Sequence, residues 1–345
     1  AEKELRDAKK EVTDAEQKLA DMTKAKEDAE KRAEEAEKKL EELQGGDQKD
    51  TDFTRYAGKS RYETSRLSAN GLKKIMGISK FDNIIVASGE NYPDALAGSY
   101  LAKVKNAPIL LVTDSEENTT ASYIKANLTT GGKVYLLGGT GAISSNFEKK
   151  VQEDGISVKR LAGTTRYDTN IEILKESGVK NEDILICSGG GYADSLSASA
   201  AGKPILLVDS RLSTQQKNYM DTLSSKKVYL IGGTGAVSKT VEKDLSRYTV
   251  KRFAGSNRFE TSTMVANTFF PKSKNVVLAY GYNFPDGLSG GPLAIAAEGP
   301  LLLVSNDGSS VTQAATYTKA AGANKAFILG GPSLISDDSV KSILN

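Results

Sequence analysis

Residues 184–208 read ILICSGGGYADSLSASAAGKPILLV, and the same arrangement recurs as IIVASGENYPDALAGSYLAKVKNAPILLV at 84–112 and as VVLAYGYNFPDGLSGGPLAIAAEGPLLLV at 276–304. Each stretch is an apolar run ending in Gly89, Gly189 or Gly281, then aromatic-x-Asp-x-Leu, then a segment of helical spacing, then proline and a second apolar run. Short continuous apolar runs without polar alternation suit strands covered on both faces, as in a parallel sheet wrapped by helices. The unit is strand, helix, strand, and it occurs three times.

Working outward, each unit is preceded by an Arg-x-x-Gly strand end and an Arg-aromatic-acid-Thr tetrad: Arg55 to Gly58 with Arg61-Tyr62-Glu63-Thr64, Arg160 to Gly163 with Arg166-Tyr167-Asp168-Thr169, and Arg252 to Gly255 with Arg258-Phe259-Glu260-Thr261. It is followed by an apolar strand, a glycine pair and a serine that starts a helix, at Gly138-Gly139 with Ser144, Gly232-Gly233 with Ser238 and Gly330-Gly331 with Ser336. Ordered signatures at a period of roughly 95 residues mark an internal repeat. The expected fold is α/β: three tandem Rossmann-like (Toprim-like) modules with parallel sheets over 53–156, 157–249 and 250–345, packed around a pseudo-threefold axis.

Ahead of the repeats, Leu5, Ala8, Val12, Ala15, Leu19, Met22, Ala29, Ala33, Ala36, Leu40 and Leu43 alternate at spacings of three and four, interrupted at Lys26. With Glu and Lys around that seam, the pattern predicts an N-terminal coiled-coil helix over 1–45, a candidate for homo-oligomerisation. The competing readings are a solvated single helix and part of a longer helical domain. Gly45-Gly46 ends the helix, and 46–52 is a polar linker.

The chain has 345 residues, 46 Lys+Arg against 44 Asp+Glu, one Cys, no Trp and no His. Without imidazole there is no Ser-His-Asp or Cys-His nucleophile and no His-bearing zinc site. The net charge of +2 divides unevenly, because 1–45 hold 11 basic and 15 acidic residues and the remainder 35 and 29. A mildly basic triplet is too weakly charged for a dedicated nucleic-acid surface, yet it favours an anionic partner locally. The absence of a long apolar run argues against membrane insertion. The sequence does not open on a signal peptide, so the chain is expected to be cytosolic, already processed, or a trimmed piece.

In an open parallel sheet the ligand-facing residues lie at the carboxyl ends of the strands, where all of these signatures fall. An arginine fork, glycine-pair amides and helix N-termini favour phosphate or carboxylate groups. The candidates are therefore Arg61, Arg166 and Arg258, with Tyr92, Tyr192 and Phe284 offering apolar faces to sugar rings and Asp94, Asp194 and Asp286 beside them. Each has a plainer reading: the arginines as ion-pair partners of a nearby acid, the aspartates as helix N-caps, and the glycines as turn formers. Cys187 aligns with Ala87 and Ala279 and reads as a small core residue.

The threefold order of these motifs resembles the clostridial cell-wall-binding repeat of type 2, over about 54–345. That resemblance implies a secreted Gram-positive surface protein of the S-layer-associated kind, such as the cell wall proteins of Clostridioides difficile-like organisms. Three modules would anchor it without a covalent bond to an anionic cell-wall polysaccharide, and the coiled-coil segment would be exposed or oligomerising. The family's Ile-Leu-Leu anchoring motif maps onto Ile109-Leu110-Leu111, Ile205-Leu206-Leu207 and Leu301-Leu302-Leu303, and its arginines onto Arg61, Arg166 and Arg258. The match departs in two places: the second copy is about one helical turn short between Asp194 and Pro204, and the third has Pro292 in the same helix, Phe284 for tyrosine and Pro332 for threonine.

An enzyme is the competing class. A Toprim site needs an acid after one strand and paired carboxylates after another, but Glu90 is matched by Gly190 and Tyr282, and no Asp-x-Asp follows a strand. Gly138-Gly139-Thr140-Gly141 likewise lacks dinucleotide spacing. The expectation is therefore no catalytic activity, no cofactor and no metal. A structural protein whose partner is another S-layer protein stands as the third reading. Between about pH 5.5 and 7.5 a histidine-free chain should titrate only through a strongly shifted carboxylate.

Overall fold

The computed structural model of the chain describes residues 53–345 and, ahead of them, Gln17, Asp21 and Lys24, which are helical. The expected coiled coil over 1–45 and linker over 46–52 otherwise lie outside the described residues. Asp52–Asn345 form one compact unit, separate from Ala1–Thr51. Among the described residues no helix is long and apolar enough to cross a membrane.

The strands are β1 (Phe53–Tyr56), β2 (Phe81–Ser88), β3 (Ile109–Val112), β4 (Leu128–Leu137), β5 (Ser157–Leu161), β6 (Ile184–Ser188), β7 (Ile205–Val208), β8 (Lys227–Ile231), β9 (Thr249–Phe253), β10 (Asn275–Tyr280), β11 (Leu301–Val304) and β12 (Lys325–Leu329). They form three four-stranded parallel sheets, ordered β3-β2-β4-β5, β7-β6-β8-β9 and β11-β10-β12-β1. Each sheet therefore takes three strands from one repeat and its last edge strand from the next. The strand that opens the first repeat closes the sheet of the third, with Phe53 beside Ala326 and Tyr56 beside Leu329. The repeats read over 53–156, 157–249 and 250–345 therefore do not coincide with the sheets: β5 and β9 pair into the sheets before them, and β1 completes the ring.

One arginine locks each exchanged strand. Arg55 donates to the carbonyls of Gly330 at 2.9 Å and Ile335 at 2.8 Å and pairs with Asp337 at 2.7 Å. Arg160 makes the same clamp to Gly138 and Glu148, and Arg252 to Gly232, Val237 and Glu242. The guanidinium thus satisfies carbonyls in the turn after the neighbouring strand, which would otherwise be left without partners.

The Ile-Leu-Leu-Val strands alternate between two interiors. Ile109, Leu111, Ile205, Leu207, Leu301 and Leu303 join one apolar cluster that also holds Leu96, Leu196 and Leu288 from the helices of all three repeats. Leu206 and Val208 face a separate core of the second module, and Leu302 and Val304 one of the third. Leu110 and Val112 remain in the shared cluster. Burial on both faces explains why these strands lack polar alternation.

The shared core is built on short helices after β2, β6 and β10. In the first and third repeats the path breaks in two, into Pro93–Ala97 and Ser99–Lys105, and into a 3-10 turn Asp286–Ser289 and Gly290–Ala296. Pro292 therefore stands in the first turn of its helix, where no intrahelical partner needs its missing N–H. The missing turn of the second repeat leaves Ala193–Ala198 with a single 3-10 turn, Ser199–Ala201. At this level Gly291 meets Ser99 and Ser199 so closely that a Cβ would lie 2.8 Å from the Ser99 hydroxyl.

Candidate functional site

Each residue of the Arg-aromatic-acid-Thr tetrad has one structural task, repeated three times. The threonine hydroxyls of Thr64, Thr169 and Thr261 accept the N–H of Gly58, Gly163 and Gly255 at 3.0–3.1 Å. Glu63, Asp168 and Glu260 turn back to accept from the backbone of Lys59, Thr165 and Ser256, while Ser60, Thr165 and Asn257 cap the same helices. Reciprocal capping of this kind fixes where a helix starts. The rings of Tyr62, Tyr167 and Phe259 lie against Gly89, Gly189 and Gly281, leaving no room for a Cβ there.

The arginines of the tetrads converge on the axis. Arg61, Arg166 and Arg258 donate to the carbonyls of Gly89 at 2.6 Å, Gly189 at 2.7 Å and Gly281 at 2.8 Å. Their guanidinium groups lie over Phe284 at 5.7 Å, Tyr92 at 5.8 Å and Tyr192 at 5.5 Å, each ring belonging to the preceding repeat. Those three rings meet one another, with centroids 6.0 Å apart for Tyr92–Tyr192 and 5.5 Å for both contacts of Phe284. A closed triangle of equivalent residues is direct evidence for the pseudo-threefold arrangement. Tyr92 and Tyr192 add hydroxyl bonds to the carbonyls of Gly189 and Gly281, a link that Phe284 lacks, so the joint between the third and first repeats differs from the others.

Near the same arginines lie the three aspartates. None is an N-cap: Tyr92 and Tyr192 hold that position for the first two, and Pro285 precedes the turn at Asp286. Their carboxylates rest against Gly138, Gly232 and Gly330, the first residues of the glycine pairs, whose φ angles are 109°, 109° and 102°. Glycine is needed there twice over, for its backbone conformation and because a side chain would overlap the carboxylate. Burial pushes Asp94 and Asp194 up to about 6, against the opposing pull of Arg166 and Arg258. Asp286 is also raised by burial, opposed by the Thr64 hydroxyl and Arg61. The ion-pair reading of the arginines fails in its close form, because no carboxylate among the described residues lies within 4.0 Å of Arg61, Arg166 or Arg258.

These raised carboxyls make stability fall as pH rises. A group that holds its proton more tightly when folded adds stability in full below its unfolded value, near 3.8, and loses that contribution as pH passes through about 6. For Asp94 and for Asp194 this is on the order of 2–3 kcal/mol. Glu176, Asp244, Glu260 and Asp307 are lowered, so their contribution disappears as pH falls through the carboxylate range. The melting temperature should therefore be highest near about pH 4 to 4.5, drop as pH rises through about 6 and level off above about pH 7. In the double variant Asp94→Asn with Asp194→Asn, scanning calorimetry should show that drop flattened; an unaltered slope would contradict the assignment.

The Ile-Leu-Leu positions stand apart from this cluster. Ile109, Leu110, Leu111, Ile205, Leu206, Leu207, Leu301, Leu302 and Leu303 are each no more than 1% exposed. Their side chains are packed inside, most of them in the core shared by the three repeats, with Leu206 and Leu302 in the cores of the second and third modules. Cys187 is fully buried, and burial pushes its thiol well up, consistent with a core residue. Sequence reading missed Arg55, Arg160 and Arg252 as strand clamps, although their fixed place before Gly58, Gly163 and Gly255 was visible. It also passed over Tyr282, an exposed ring beside Arg258.

The model of cell wall binding domain 2 matches residues 55–148, 160–242 and 252–341. Among curated proteins, the N-acetylmuramoyl-L-alanine amidase LytC of Bacillus subtilis is 30% identical over 266 residues, which is 76% of this chain and 52% of that protein. Among solved structures, Cwp8 from Clostridium difficile superposes with a TM-score of 0.75 at 26% identity, covering 91% of this chain and 54% of that one. Cwp6 from the same organism gives 0.74 at 22% identity over 85% of this chain and 48% of its own, a likeness of fold. The chain spans about half the length of these relatives.

Proposed function

The chain belongs to the cell wall binding domain 2 family and is a secreted, wall-associated protein that binds the cell wall; we propose that its ligand is an anionic wall polysaccharide, held at the axial end where the carboxyl edges of the three sheets meet. One observation carries this reading. Arg61, Arg166 and Arg258 ring the axis over half-buried aromatic faces, each with one nitrogen tied to a glycine carbonyl and no close acidic partner. Burial raises the neighbouring Asp94 and Asp194 to about 6, so the cluster gains positive charge as pH falls through that range. A cationic fork beside an aromatic face suits a sugar that carries phosphate or carboxylate.

Repetition supplies the strength. Three weak contacts on one rigid frame act together on a repeating polymer, with an effective concentration set by their spacing. On this reading the protein holds a polymer rather than transforming it, and amidase activity belongs to the named relative. The test is wall binding by the full chain with Arg61→Gln, Arg166→Gln and Arg258→Gln, singly and combined. Each change is expected to weaken binding about tenfold. The triple change should abolish it and remove most of its salt dependence. A folded triple variant that binds walls as the parent does would overturn the proposal.

A further inference from the structure

The three carboxyl edges are not chemically alike. At equivalent positions after the second strand of each repeat the chain has Ser88 and Glu90, Ser188 and Gly190, and Tyr280 and Tyr282. In the first two repeats the serine hydroxyl accepts the N–H of residue 90 or 190, at 3.2 and 3.1 Å, and closes a tight polar turn. In the first repeat the Tyr62 hydroxyl donates to Glu90, placing a carboxylate at the edge. The third repeat replaces the polar turn with aromatic packing.

Tyr282 is 56% exposed, the one aromatic among the large apolar side chains that stand out from the described surface. It is nevertheless held. Phe259 meets it edge-on at 5.2 Å with an interplanar angle of 83°, and Tyr280 braces it at 5.8 Å and 69°. Edge-to-face packing on two sides fixes the ring while leaving apolar surface in water. The Arg258 guanidinium lies 5.6 Å from the same ring. Its Nη1 serves Tyr192 and Gly281, whereas Nη2 and Nε make no hydrogen bond among the described residues. Next along the chain, the exposed Asn283 uses its Oδ1 on the N–H of Phe284, which leaves the amide nitrogen to donate outward.

We infer that Tyr282, Arg258 and Asn283 form a sugar-stacking subsite that the first two repeats lack, taking a pyranose ring that bears an anionic substituent. The ring face covers the apolar C–H surface of the sugar, the free guanidinium nitrogens take the phosphate or carboxylate, and the Asn283 amide takes a hydroxyl. Glu90 in the first repeat would repel the same ligand, and Gly190 in the second offers it no face. The inference rests on the polysaccharide reading above and adds a direction to it: the third repeat sets which sugar is accepted.

The test is titration calorimetry of the full chain with polysaccharide released from purified walls by mild acid, alongside the same material after dephosphorylation. Tyr282→Ala is expected to weaken binding roughly three- to tenfold. Tyr282→Phe, which keeps the face, should stay within about twofold, and Tyr282→Glu, which copies the first repeat, should bind worse than the alanine variant. Dephosphorylation should reduce binding while preserving the ranking of the Tyr282 variants. Equal binding by parent and Tyr282→Ala chains, both melting at the same temperature, would overturn the subsite and leave the polysaccharide reading intact. A parent chain that does not bind the released polysaccharide overturns both.

Discussion

Replacing Arg55 by alanine is expected to loosen the third module, although 275 residues separate it from Gly330. The side chain is largely buried, donates to two carbonyls in the turn after β12 and pairs with Asp337 at the start of the last helix. Truncation leaves both carbonyls without their donor and frees the edge strand that completes the sheet. Bonds from a charged donor to buried acceptors make the cost about 2–4 kcal/mol. Hydrogen exchange locates the effect: protection should fall in β12 and in the helix Asp337–Leu344, far along the chain from the substitution. Faster exchange confined to residues 61–161 would contradict the strand exchange on which the ring depends.

The second large effect is expected at Gly232. Its φ of 109° is strained for any L side chain, and a Cβ would overlap the Asp194 carboxylate. Gly232→Ala should cost about 2–4 kcal/mol, combining backbone strain with overpacking. The two contributions separate in a double-mutant cycle. Adding Asp194→Ala clears the overlap, so the pair should be more stable than the sum of the single changes implies, while the backbone strain persists. Urea titration measures this, and strict additivity would contradict the contact between turn and carboxylate.

Much of the fold was legible because the signatures repeat in order. Apolar runs such as Ile205–Val208 declared strands buried on both faces, and Ser144, Ser238 and Ser336 marked where three helices begin. Which sheet the opening strand of each repeat joins was not legible. A strand at 157–161 reads the same whether it opens one module or closes another, because periodicity says nothing about which neighbour accepts its hydrogen bonds. Arg160 was the available signal, an arginine that reaches back to Gly138 rather than forward. The candidate site shows the same division. Arg61, Arg166, Arg258, Tyr92, Tyr192 and Phe284 were selected by residue type and strand position, and they do meet at one place. Sequence alone could not show that each arginine lies over the ring of the preceding repeat, since that contact depends on ring closure. The Ile-Leu-Leu strands carried two readings at once, core and anchoring motif, because in sequence residues that pack the ring look the same as residues that touch a ligand.

The histidine-free composition takes on a definite meaning in this setting. Titration near pH 6 comes from Asp94 and Asp194, half-buried beside the arginines of the cluster, and Asp286 is raised in the same direction. Lower pH should therefore both stabilise the ring and increase its attraction for anions, down to the range where the lowered carboxylates begin to titrate.

The most direct test is co-sedimentation of the full chain with purified cell walls before and after acid extraction of their phosphate-linked polymers. Binding to intact walls that weakens with salt and disappears after extraction is the predicted result. Undiminished binding to the extracted walls would contradict an anionic polysaccharide as the ligand.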